Sequence, residues 1–293
     1  MLIRLAYDIQ FDLPAETAMV VLLHVHPVRT ADLLEPDEIR TEPELKVTSY
    51  LDTFGNRCDR FVAPRGHLRL SSSTLIRESG GTDPVNWDAR EVPVAELPNE
   101  QLRFLLSSRY CEVDLFTNIA FQLFGQSAPG WARVQAICNW VHGHIAFDYQ
   151  QARPTKSAMD VYTERVGVCR DYQHLAITMC RAMNIPARYA TGYLGDIGVP
   201  LRLPMDFSAW FEAWLDGQWW AFDARNNMPR IGRILMATGR DAADVALTTS
   251  FGTANLAHFF VVTEEEIPPS VEQPVLENNF GLGLPYFESP PGA

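Results

Sequence analysis

Lysine is nearly missing from this chain: of 24 basic residues only Lys46 and Lys156 are lysines, against 36 acidic residues and a net charge of -12. That balance fits phosphate backbones and anionic lipid poorly, so neither nucleic acid nor a membrane is an expected partner. Cysteine is scarce and unpatterned. Cys58, Cys111, Cys138, Cys169 and Cys180 are odd in number and form no Cys-x-x-Cys, which argues against a disulfide framework and for a reducing compartment. No basic-then-apolar leader opens the sequence, and the apolar run from Ala18 to Val25 is too short to cross a bilayer. A soluble, cytoplasmic protein is expected, and no internal repeat is visible.

What is present divides by period. A length of 293 residues suggests two compact units. Alternation at Val21, Leu23 and Val25, a turn at Asp52-Thr53-Phe54-Gly55-Asn56 and renewed alternation at Leu68, Leu70 and Ser72 predict a small antiparallel β-sandwich over residues 1–80. Gly80-Gly81, Pro84, Pro93 and Pro98 mark residues 81–100 as a linker. Residues 101–263 then read as a mixed core, and the acidic, proline-rich stretch 264–293 as a poorly ordered tail. The fold class expected is α+β.

Within the core, Trp131, Val134, Ile137, Cys138 and Val141 predict an amphipathic helix, and Ser157 to Val166 a short one. The clearest helix starts at Cys169, with Tyr172, Leu175, Ala176, Met179, Cys180 and Met183 on one stripe and Asn184 and Pro186 as its stop. Strands are expected at Ala187 to Leu194, Phe207 to Leu215, Gln218 to Ala224 and Leu256 to Thr263. Asp216-Gly217 predicts a two-residue hairpin that pairs Leu215 with Gln218 and Trp214 with Trp219, down to Trp210 opposite Asp223. Ser208, Trp210, Glu212 and Trp214 then share a face with Trp219, Ala221 and Asp223, and Ser208 and Asp223 become diagonal neighbours about 7–8 Å apart.

Cys169 carries the chemistry. A thiol at a helix N-terminus faces unpaired backbone N–H groups and the positive end of the helix dipole, so thiolate, the nucleophilic form, is expected there. Cys138 and Cys180 read as core residues instead.

Gly167-Val168-Cys169-Arg170-Asp171, Asn184-Ile185-Pro186-Ala187-Arg188-Tyr189, Gly192-Tyr193, Asp206-Phe207-Ser208-Ala209-Trp210-Phe211-Glu212, and Trp219, Trp220 and Asp223 resemble the core of bacterial transglutaminase-like proteins. The N-terminal strands resemble the β-domain that often precedes that core. The resemblance implies a papain-like arrangement in which a helix-borne Cys169 faces an antiparallel sheet carrying the base and the orienting acid. Asp223 falls on the acid. The family's histidine, usually in Asp-x-His-Ala-Trp, falls on Ser208, and the usual Asp-Pro-Thr is here Asp223-Ala224-Arg225. A serine cannot take a proton from a thiol near neutral pH.

The implied activity is that of a cysteine protease, amidase or acyltransferase acting on peptide or protein amides through a thioester at Cys169. The alternative is an impaired member of the fold that binds or scaffolds. Two lysines argue against self-crosslinking. Of the remaining histidines, at most one of His142 and His144 can face the cleft, His174 should point away, and His258 could border the sheet. His24 and His26 share a strand face but lack a third ligand, so no metal and no cofactor is expected. Trp210, Trp214 and Trp219 could wall a cleft, although packing between sheet and helix accounts for most of them. Oligomeric state is not readable.

Overall fold

Alternation decides the first strand. In the computed structural model, which describes residues 1–201 and 205–266, β1 (Leu2–Leu13) buries Ile3, Leu5, Tyr7, Ile9, Phe11 and Leu13 and turns the residues between them outward. Strands β2 (Thr17–Val21), β3 (Arg40–Glu42), β4 (Thr48–Leu51), β5 (Arg57–Ala63) and β6 (Gly66–Arg77) follow, with Gly55 at positive φ in the turn before β5. Two antiparallel sheets enclose a core of β1 and β6 residues against Met19, Val21, Phe61 and Ala63.

Leu22 to His26 do not continue the alternation expected of them. The strand ends at Val21 and the next five residues are all buried. His24 is fixed there by two acids: its Nε2 lies 2.6 Å from Asp59 Oδ2, and its Nδ1 faces Asp37 at 3.4 Å. Ser49 also donates to Asp59, and the Val25 N–H to Asp37.

Past the strap of residues 81–100 come helices α1 (Val113–Phe124) and α2 (Trp131–His144), then α3 (Ala158–Glu164) between the short parallel strands β7 (Ala146–Phe147) and β8 (Val166–Gly167). Helix α4 (Cys169–Ala182) is the axis of the core. Asp171 to Ala182 are buried without exception, because α1, α2 and α3 enclose the side of α4 that the sheet does not. Asn184, at φ 64°, ends it in the left-handed region. The sheet comprises β9 (Ala187–Leu194), β10 (Phe207–Leu215), β11 (Gln218–Phe222) and β12 (Arg233–Gly239) in the order β11-β10-β9-β12.

Leu215 pairs with Gln218 and Trp214 with Trp219, across a turn whose Asp216 and Gly217 both have positive φ. The expected register therefore holds as far as Phe211 opposite Phe222, where β11 ends. Ala209, Phe211, Ala213 and Leu215 face the helices, so Trp210 and Trp214 stand on the far face. Trp219 joins them there, against Phe104 at 5.2 Å and under the Arg188 guanidinium at 4.3 Å. The tryptophans thus neither pack between sheet and helix, as expected of most of them, nor wall a cleft there.

The chain's last strands correct one expectation. The strand expected at Leu256 to Thr263 does not join the core sheet. As β14 (Asn255–Glu265) it pairs with β1, while β13 (Thr248–Ser250) pairs with β2, so each adds an outer strand to one sheet of the N-terminal sandwich. Glu264 and Glu265 belong to β14, and the rest of the expected tail, from 267 on, lies outside the described residues.

The His24 cluster gives the sandwich a pH signature. Burial pushes the imidazole pKa down, but Asp37 and Asp59 outweigh it and raise the value from 6.5 to about 8. The stabilisation is therefore complete below the unfolded pKa and is lost as pH rises through about 8. Denaturant unfolding should show stability falling by about 2 kcal/mol between pH 6 and 9, with that slope absent in His24→Gln.

Candidate active site

The parallel pair β7 and β8 delivers the chain to Val168, which caps α4 in extended conformation without a side-chain bond of its own. Asp171, at the third helical position, accepts the Val168 N–H at 3.0 Å and does the capping instead. That closeness needs a glycine at 167, where a Cβ would sit 2.7 Å from the Cβ of Asp171. Cys169 becomes the first residue of the helix, as the sequence predicts.

Its charge state does not follow the prediction. Cys169 is half-buried, and burial of the thiol pushes its pKa up from 9.0 to about 11. The Arg225 guanidinium and the Arg170 backbone N–H pull the other way, while Asp206 and Asp223 add to the rise. Dehydration outweighs the helix terminus, so the resting form is the thiol.

Asp223 lies just past the end of β11 and is buried. Its Oδ1 accepts from Gln173 Nε2 (3.2 Å) and from the backbone N–H groups of Arg225 and Asn226 (3.0 Å each). Its Oδ2 accepts from Asn226 Nδ2 (2.8 Å) and Arg233 Nη2 (3.4 Å). Gln173 sits one turn after Cys169 on α4, donates also to Ala209 O and accepts from the Ala224 N–H, so one amide joins helix, strand and turn. Sequence reading missed Gln173. Its signal was the i, i+4 spacing from Cys169, which puts both on one side of the helix. Arg233 in turn is held by Asp83 at 3.0 Å, which brings the strap into the site.

Ser208 is buried on β10 and lines a cavity of about 580 Å³ together with Asp206, Arg225, His142, Phe147 and Tyr149. It makes no hydrogen bond to Asp223 among the described residues; the hydroxyl is short and five donors already hold the acid. Of the helix pair, His142 reaches the cavity, with Nδ1 2.9 Å from Arg225 O. His144 turns to Tyr162 O and stacks on Trp140. His174 is buried away from the cavity, accepting the Ala242 N–H and stacked on Tyr110. His258 is exposed on β14. Among the described residues no group of three or more His, Cys, Asp or Glu side chains could hold a metal ion, and no helix is long and apolar enough to cross a membrane.

The stretch that carries this thiol-bearing helix and the acid after the hairpin, residues 117–224, is matched by the sequence model of the transglutaminase-like superfamily. This segment is a transglutaminase-like core. The chain is similar to a crystal structure from Cytophaga hutchinsonii, named as a candidate cysteine protease, at 29% identity and TM-score 0.79, covering 93% of this chain and 94% of that one. It is also similar to an uncharacterized protein of Mycobacterium leprae, at 26% identity over 221 residues, 72% of this chain and 77% of that one. The α+β architecture expected from the sequence is observed, with a β-sandwich ahead of the segment that matches the superfamily model.

The raised thiol pKa has a direct readout. The rate of Cys169 alkylation by iodoacetamide should keep rising with pH beyond 9, towards a midpoint at about 11. Asp206→Asn, which removes a negative charge acting on the sulfur, should move that midpoint down and speed alkylation several-fold at pH 8. Peptide mass spectrometry reads both at Cys169.

Proposed function

We propose that the chain acts on peptide-type amide bonds as a transglutaminase-like cysteine hydrolase or acyltransferase, slow as it stands, through a thioester on Cys169. One observation carries this reading: a half-buried thiol heads α4 beside a cavity of about 580 Å³ whose wall includes Arg225 and Asp206, both of which act on the sulfur. The sulfur attacks the amide carbon and the amine leaves with a proton, giving an acyl-thioester that water or a second amine resolves. The Cys169 backbone N–H supplies one donor for the developing oxyanion.

The base role that Ser208 cannot fill goes to His142. A carbonyl only accepts, so the Nδ1 contact with Arg225 O fixes the proton on Nδ1 and leaves Nε2 as acceptor. A thiol at about 11 holds roughly a hundredfold less thiolate near neutral pH than one at the ordinary value of 9.0, which sets the slow rate. Likeness to a protein named as a candidate cysteine protease supports hydrolysis, and two lysines argue against crosslinking copies of this chain. Five unbridged thiols suit a reducing, cytoplasmic setting.

A second reading has its own observation. The resemblance puts Ser208 where the family has its histidine, and all five donors of Asp223 are internal to the protein, as befits an impaired member that binds peptide without turnover. Ser208→His separates the two. Restoring an imidazole there should raise hydrolysis of an activated ester or peptide anilide by about 10²-fold or more, and Cys169→Ala should abolish it. If neither the wild type nor Ser208→His shows Cys169-dependent turnover, the binding reading holds instead.

A further inference from the structure

We infer that Arg225 makes the cavity beside Cys169 a carboxylate-binding site, selecting ligands that carry a free carboxylate close to the carbonyl presented to the sulfur. The inference deepens the cysteine-hydrolase reading and rests on it for the identity of the reacting carbonyl, but not for the anion site itself.

Other buried and half-buried arginines of the core have partners within the protein. Arg133 is paired with Glu91, Arg188 with Glu212, Arg230 with Asp196 and Arg233 with Asp83, and the buried Arg181 gives its guanidinium to the carbonyls of Leu106, Ala187 and Arg240. Arg225 lines the same cavity as Arg230 and is half-buried, yet it forms no ion pair among the described residues. Asp206 shares that wall without closing to ion-pair distance of it. Unlike Arg181 it has no carbonyl acceptors either among the described residues, only the Tyr149 hydroxyl on the same wall, so a partly dehydrated guanidinium bordering a cavity keeps donors for a ligand.

Its position is fixed from three sides. The Arg225 N–H donates to Asp223 Oδ1, its carbonyl meets His142 Nδ1, and its guanidinium lies 4.2 Å from the centre of the Phe147 ring. Phe147 pairs with Gly167, two residues before the nucleophile position, so the cation is stacked next to the reacting end of α4. A planar guanidinium lying on an aromatic ring presents its edge, and an edge binds a carboxylate through two parallel N–H bonds. The two backbone contacts survive replacement of the side chain, so Arg225→Gln removes the charge and leaves the turn. The carboxylate belongs either to an Asp or Glu side chain of a peptide or to a peptide C-terminus; both offer the same chemistry.

Iodoacetate and iodoacetamide test this without any turnover. They alkylate the same thiolate and differ by one charge, so their rate ratio cancels the sulfur's own pKa. Cys169 is half-buried and the other four cysteines are buried, which makes it the thiol to follow by mass spectrometry. At low salt the iodoacetate-to-iodoacetamide ratio at Cys169 should exceed that of free cysteine by about fivefold or more, and should shrink as salt is added. Arg225→Gln should return it to the free-cysteine value, and Arg225→Lys should keep part of it. A wild-type ratio equal to that of free cysteine, or a raised ratio that persists in Arg225→Gln, overturns the inference.

Should Cys169 consume neither reagent, NMR titration decides. Acetyl-glutamate amide is compared with acetyl-glutamine amide for the side-chain source, and acetyl-Ala-Ala with its C-terminal amide for the chain-end source. An Arg225-dependent preference of about fivefold or more for either anion supports the site and names the source; no such preference for either rules it out. Absence of hydrolysis in these preparations would count against the cysteine-hydrolase reading alone.

Discussion

The carboxylate of Asp223 is the point on which the core closes. Two backbone N–H groups, two side-chain amides and a guanidinium converge on its two oxygens, and each comes from a different obligation of the fold. Gln173 ties it to the helix that carries the thiol. Arg233, itself gripped by Asp83, ties it to the strap between sandwich and core. A buried anion is tolerable only when its lone pairs are all occupied, so removing any one donor exposes the penalty that the others hold down. This explains how a buried acid persists here without an imidazole beside it. Its structural work is complete without one.

The same accounting of water decides the state of Cys169. A helix terminus does favour the anion, and the Arg170 N–H contributes in that sense. Partial dipoles nevertheless do not make up for the hydration a thiolate loses on burial, and the two acids nearby push the same way as burial. In a cysteine–histidine pair the imidazolium would supply the missing full charge. Arg225 supplies a full charge too, but one that cannot accept a proton. In the proposed reaction, charge stabilisation would fall to Arg225 and proton transfer to His142, two tasks that one ring usually combines.

Much of this was legible in the residues. The Asp216-Gly217 turn fixed the hairpin register, because a two-residue loop with both residues at positive φ admits one pairing. The apolar stripe placed α4, and Gly167 and Asn184 marked its two ends. Three things were not legible. Periodicity could not tell which face of β10 meets the helix, since aromatic and small residues alternate there and either set can pack. Gln173 looked like any polar helical residue, because its partners come from β10 and from the turn after β11, remote in sequence. The thiol's charge depends on the volume of protein around the sulfur, a quantity that no motif records.

Strands β13 and β14 have one more consequence, and it concerns time. The sandwich that opens the chain takes an outer strand for each of its sheets from residues made after the whole helical core. On a ribosome adding about 5–20 residues each second, β1 and β2 wait on the order of ten seconds or more for those neighbours to be made. Until then each offers an unpaired edge to the cell, so the nascent sandwich is the stretch of this polypeptide most in need of a chaperone's cover.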